Sequence, residues 1–153
     1  FGVGIPEPQF DDLYRDLILD HYRRPRNRGR LAGATVHAEG ANPVCGDEVL
    51  LELRLEDGRI AQAAFDGQGC SISQASASML TEHVAGRTVD EARALAHAFE
   101  EMLVGGAPPG PELGDLEAFQ GVARFPIRVK CAMLGWKVLE DALAQVGRKG
   151  GNQ

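Results

Sequence analysis

Three cysteines and one carboxylate are the residues whose types and placement could do chemistry. Cys45 lies in Asn42-Pro43-Val44-Cys45-Gly46-Asp47, Cys70 in Gly67-Gln68-Gly69-Cys70-Ser71, and Cys131 in Pro126-Ile127-Arg128-Val129-Lys130-Cys131. An odd number of cysteines in a reducing cytosol makes a disulfide framework the wrong default. Metal binding and thiol chemistry then compete with the plainer role of cysteine as a small buried hydrophobe. Each cysteine falls at a break between regular elements, a placement that weakens the packing role. Helix N-termini and nearby cations lower thiol pKa. Cys70 precedes a helix-forming run and Cys131 follows Arg128 and Lys130, so both are expected to be reactive or metal-binding thiolates. Asp47, two residues after Cys45, either caps a turn or reaches the same point through Gly46 and completes a tetrahedral set of three sulfurs and one oxygen. No CxxC pair is present, so this is not the usual structural-zinc pattern, and a set that includes a carboxylate suits a site that exchanges a ligand.

The elements that would position these residues follow from periodicity. Phe10, Leu13, Tyr14, Leu17, Ile18 and Tyr22 recur at helical spacing, with Asp11 and Asp12 in the first turn and Pro25 as the stop. The segment 23–30 that follows is rich in arginine and broken by Pro25 and Gly29; it reads as a loop carrying a local positive patch, either a solvated turn or a docking surface. Period-two alternation over residues 34–37 and 48–55 predicts strands, Asp57-Gly58 is a hairpin signal, and residues 60–65 supply the returning strand. A helix starts close to Cys70. Thr88 with Glu91 is a capping box for another helix, which Gly105-Gly106 ends. A Pro/Gly break over residues 107–111 leads into a loop that holds a short helix over residues 113–122, and a last helix runs from about Ile127 or Val129 to Val146. The order predicts an α+β domain: a small antiparallel sheet of about three strands with helices packed on one face. Residues 10–147 are expected to form it as a single domain, with residues 1–9 a flexible segment and residues 148–153 a frayed tail. If the hairpin joins its strands in register, Cys45 and Cys70 lie at the same end of the sheet. Cys131 joins them only if its helix points its N-terminus that way.

Other features carry less. The histidines His21, His37, His83 and His97 are scattered and read as surface or packing residues. Gly67, Gly69 and the Ser-rich run make no GxxxxGKS or GxGxxG phosphate cradle. Trp136 and Met133 suit the packed face of the last helix. The 153 residues carry 16 Lys and Arg against 22 Asp and Glu, a formal net charge of -6, which speaks against a nucleic-acid partner. No basic region precedes an apolar stretch and no apolar run approaches membrane-spanning length, so no membrane partner is expected and the chain reads as cytoplasmic.

Four separated motifs, in order, resemble the iron-sulfur assembly scaffolds of the IscU type, related to the N-terminal part of NifU, and specifically their SufU branch. They are Leu13-Tyr14-Arg15 through His21-Tyr22-Arg23-Arg24-Pro25-Arg26-Asn27, then Asn42-Pro43-Val44-Cys45-Gly46-Asp47, then Gly69-Cys70-Ser71-Ile72-Ser73-Gln74-Ala75-Ser76, and Arg124-Phe125-Pro126-Ile127-Arg128-Val129-Lys130-Cys131. The IscU branch carries histidine directly before its last cysteine, where this chain has Lys130, and the segment 105–122 is similar to an insertion characteristic of SufU. The resemblance implies that Cys45, Asp47, Cys70 and Cys131 hold Zn2+. It also implies that Cys45 accepts persulfide sulfur from a cysteine desulfurase of the SufS type, and that the sulfur passes to downstream iron-sulfur assembly or carrier proteins. A transient [2Fe-2S] cluster built on the same thiolates and handed to apo-proteins is the alternative it leaves open, with a purely structural zinc module as the third. The arginine-rich segment would then face an acidic patch on the desulfurase.

Overall fold

Alternating burial decides the sheet. In the computed structural model, which describes residues 12–150, β1 (Val36–Asn42), β2 (Asp47–Glu56) and β3 (Arg59–Gln68) form an antiparallel sheet in the order β1-β2-β3. Val49, Leu51 and Leu53 point into the core, as the period-two pattern predicts. The first strand begins at Val36 and runs on to Asn42, past the stretch that alternation marked, because Gly40 and Ala41 give a weak pattern where the backbone still pairs with β2. The β2–β3 turn is Asp57-Gly58, with φ of +52° and +76°, the two positive values that a tight type I′ hairpin needs.

Helices cover one face of the sheet. Helix α1 (Asp12–Arg23) ends ahead of Pro25, α2 (Ser71–Val84) follows β3, and α3 (Val89–Leu103) opens on the expected capping box. In that box Glu91 N donates to Thr88 Oγ1 at 3.1 Å and Thr88 N donates to Glu91 Oε1 at 2.9 Å. Helix α4 (Pro126–Gly150) packs on β1 and β2, and α2 packs on β3 beside it. Phe10 and residues 1–9, for which a helix start and a flexible segment are expected, lie outside the described residues, as do residues 151–153 of the tail; α4 itself continues beyond Val146 to Gly150.

The segment expected to be a loop with one short helix is a long 3-10 segment, Pro111–Arg124, kinked at Gly114 (φ +52°). Apolar residues rather than helix propensity set its path. Leu113, Leu116, Phe119 and Val122 are buried, and Phe119 meets Phe99 edge-on at 5.8 Å while Phe99 stacks on Trp136 at 4.8 Å. This segment therefore belongs to the core and closes the far side of α3 and α4. Among the described residues no helix is long and apolar enough to cross a membrane.

Candidate metal and thiol site

Three element ends meet at one end of the sheet. Cys45 lies in the β1–β2 connection, residues 43–46, where its N–H is 3.3 Å from Asn42 O; Asp47 is the first residue of β2; Cys70 is the N-cap of α2. The pairing Glu48↔Gln68 sets the start of β2 beside the end of β3, so the sequence deduction that Cys45 and Cys70 share an end of the sheet holds. Helix α4 also points its N-terminal turns there, bringing Cys131 in. One ligand atom from each of Cys45, Asp47 and Cys131 lies within 4.8 Å of the others, and the Cys131 and Cys45 sulfurs are 3.1 Å apart. Cys70 is not in that trio. It joins through its backbone N–H, which donates to Asp47 Oδ1 at 2.8 Å, and through its thiol, which lies against Cys131.

Burial grades the set. Asp47 and Cys131 are 0 % exposed, whereas Cys45 and Cys70 are half-buried and Val44 beside Cys45 is 64 % exposed. Cys45 and Cys70 are therefore the reachable thiols, and Cys45 is the one on a connection between strands.

The thiols also differ in acidity. The hydrogen bond from Cys131 is the main reason that the Cys70 pKa falls to about 7, with the backbone of Ser73 and the Arg128 charge helping and burial and Asp47 opposing. Cys131 is pushed up: it gives its proton to the bond with Cys70, it is buried, and Cys45 is a second sulfur neighbour. The Cys70 pKa is lowered as expected, but the Cys131 thiol contributes more to the shift than the helix start does. For Cys131 the neighbours in space are thiols and a carboxylate and Lys130 is exposed, so the metal-free thiol is pushed up, while its sulfur lies with Cys45 and Asp47 as a candidate ligand. Of this pair Cys70 is therefore the more acidic thiol.

The histidines stay out of the site. His37 and His97 are exposed, and His21 is a buried packing residue whose Nδ1 lies 2.7 Å from Ser78 Oγ. Two contributors escaped the sequence reading. Gly69 lets the Asp47 carboxylate approach the Cys70 N–H, and Asn42, 7 % exposed, sits opposite Asp47 in the β1–β2 register. The signal for Asn42 was there to use: counting back across the connection from Asp47 pairs the two.

The donor set fits a tetrahedral soft-metal site. Zinc–sulfur bonds of about 2.3 Å put tetrahedral donors about 3.8 Å apart, which the observed spacings straddle. Comparison with known proteins agrees in kind. The family described as NifU-like N terminal domain matches residues 13–152. The zinc-dependent sulfurtransferase SufU of Bacillus subtilis is 44 % identical over 143 residues, covering 93 % of this chain and 95 % of that protein. The iron-sulfur cluster assembly scaffold protein IscU of Streptococcus pyogenes is 41 % identical over 136 residues, covering 88 % and 85 %. Among solved structures, the N-terminal part of a nitrogen-fixing NifU-like protein from Brucella abortus superposes with a TM-score of 0.83 at 29 % identity, covering 91 % of this chain and 97 % of that one.

Proposed function

The chain belongs to the NifU-like N terminal domain family, and on that premise we propose that it is a zinc-dependent acceptor of persulfide sulfur, taking sulfur from a cysteine desulfurase for iron-sulfur cluster assembly. The observation that carries the reading is the convergence of Cys45, Asp47 and Cys131, with Cys70 against them, at an end of the sheet where only the cysteines on the rim are reachable. In this reading Cys45, Asp47, Cys70 and Cys131 hold the ion. When bound, zinc keeps coordinated thiols deprotonated at neutral pH and shields them from oxidation.

Cys45 is the acceptor because it is half-buried on an irregular connection while Cys131 is closed in. Its thiolate attacks the outer sulfur of the desulfurase persulfide. A sulfur–sulfur bond forms on Cys45, the donor's own sulfur–sulfur bond breaks, and the desulfurase cysteine leaves as a thiolate, with no net oxidation or reduction. The chemistry calls for a reducing compartment, which the cytoplasm provides, and residues 10–147 would act in it as one unit.

The S. pyogenes relative's name supports a second reading, in which three sulfurs and one oxygen build a [2Fe-2S] cluster as cargo for apo-proteins. One experiment separates the two. Desulfurase turnover and transfer of labelled sulfur are measured with wild type and Cys45→Ala, and anaerobically reconstituted wild type is offered to an apo-ferredoxin. The sulfur-acceptor reading expects wild type to accelerate turnover, Cys45→Ala to carry no label, and little cluster to pass on. Undiminished labelling of Cys45→Ala rejects the assigned acceptor, and efficient maturation of the ferredoxin favours the scaffold.

A further inference from the structure

Between the two most buried donors stands a side chain to which no role has been given. Asn42 ends β1, is 7 % exposed, and pairs with Asp47 across the strands. Its Nδ2 lies 3.4 Å from Asp47 Oδ2 and 3.7 Å from Cys131 Sγ. The reverse orientation of the amide would set its carbonyl oxygen against a carboxylate oxygen, so the donor orientation is the one these neighbours accept. Both contacts are long for a bond closed on one acceptor, as befits one amino group shared between two.

The arrangement completes an accounting of Asp47. Its Oδ1 accepts from Cys70 N–H at 2.8 Å, which leaves Oδ2 to Asn42. Asp47 comes from β2 and Cys131 from α4, so Asn42 is a bridge between donors on different elements. Three thiolates and a carboxylate around a dication leave a net negative charge, and buried anionic charge is costly without hydrogen-bond donors. Asn42 supplies side-chain N–H groups at that point.

We propose that Asn42 is a positioning residue of this site: its carboxamide holds the Asp47 carboxylate and the Cys131 sulfur in fixed relation, and so sets how tightly the donor set holds a thiophilic dication. The inference rests on the metal-binding reading above. The contacts of the Asn42 carboxamide are to Asp47 and Cys131, so its effect is on retention of the ion and on the geometry of its ligands.

The test measures binding of Zn2+ and Co2+ to the full chain in competition with a chelator, together with the Co2+ absorption spectrum, for wild type, Asn42→Leu and Asn42→Asp. Leucine keeps the branched skeleton, though with bulkier methyl ends, and removes the donor; aspartate keeps the shape, removes the donor and adds charge. Loss of an outer-shell partner weakens metal affinity by about ten- to a hundred-fold, and both variants are expected to fall by that much and to shift the cobalt bands. A role only in packing would lower the thermal stability of the metal-free variants and leave affinity and spectrum unchanged, which overturns the inference. Wild type that binds neither ion overturns the metal-binding reading and this inference with it. Should neither variant fold, nitrogen-15-labelled wild type decides: loading with metal should move the Asn42 side-chain amide signals well beyond those of Gln62, which is exposed on β3, and an equal displacement overturns the proposal.

Discussion

A β-carbon at Gly69 would collide with the Asp47 carboxylate and the Ser73 hydroxyl, and φ there is +150°, a conformation that side chains resist. Gly69 is therefore what allows Asp47 to receive the Cys70 N–H. Gly69→Ala should destabilise the chain by about 1–3 kcal/mol and weaken metal retention along with it. Denaturant unfolding with and without a chelator checks this, and a variant indistinguishable from wild type in both would mean that the tie between Asp47 and Cys70 is dispensable. The same scale shows why local sequence is a poor guide to thiol acidity. Cys70 and Cys131 each stand near the start of a helix, yet one pKa falls to about 7 and the other rises, because each is set first by its hydrogen bond with the other and not by its place in the helix.

Helix α2 is buried along almost its whole length, and Ser76 and Ser78 tie it to neighbouring elements. Ser76 Oγ donates to Ala132 O at 2.7 Å and accepts from Trp136 Nε1 at 3.1 Å, which fastens α2 to α4. Ser78 Oγ accepts from Arg26 N at 2.8 Å and meets His21 Nδ1 at 2.7 Å, which fastens it to α1 and the segment beyond. The His21 pKa is lowered, first by burial and then by Arg26, with Glu82, Asp20 and Asp115 opposing; His83 is lowered too, again mainly by burial. A histidine held neutral in the fold binds fewer protons than it does unfolded, where its pKa is about 6.5. Stability is thus full above that value and falls as pH drops through it toward the lowered native value. His21→Gln, which keeps a polar partner for Ser78, should flatten the dependence of unfolding free energy on pH below about 6.5 without removing the part that His83 supplies. An unchanged slope would mean that α1 leaves α2 before His21 titrates.

At the scale of the molecule, the arginine-rich segment is built into the fold. Gly29 N donates to Phe65 O at 2.8 Å and Phe65 N donates to Asn27 O at 3.0 Å, so the segment runs along β3 and covers that edge of the sheet. Arg26 pairs with Asp20, Arg28 with Asp66, and Arg30 with Glu52, whose pKa is lowered first by that hydrogen bond and then by the N–H of Leu31. Much of the positive charge is therefore answered inside the chain. Arg23 and Arg24 are both exposed, Arg24 by 83 % of its side chain although it also reaches Asp20. These two stand at the end of α1 and are the exposed charges through which docking of the segment to an acidic patch is tested. Charge reversal at Arg23 and Arg24 should slow association at low salt several-fold and the difference should shrink as salt is added. Stopped-flow binding measures it, and equal rates at low salt remove the segment from the interface.

What the sequence determined by itself was everything set by short-range rules. The Asp57-Gly58 turn, the alternation of β2, the Thr88–Glu91 capping box and the stop before Pro25 are each dictated by backbone geometry within a few residues, and each stands in the structure. So does the meeting of Cys45 and Cys70 at one end of the sheet, because the β2–β3 hairpin, despite its register shift between Arg54 and Leu55, still sets the start of β2 beside the end of β3. Tertiary structure decided the rest. The segment Pro111–Arg124 took its form from burying Leu116 and Phe119 against α3 and α4, which no local propensity encodes. Cys131 reached Cys45 because α4 lies across β1 and β2, and Asn42 came between Asp47 and Cys131 by strand register and helix packing together. Contacts between residues far apart in the chain depend on how whole faces pack. That is why Cys45, Asp47 and Cys131 came together, with the Cys70 N–H on Asp47, only when the sheet and α4 were packed.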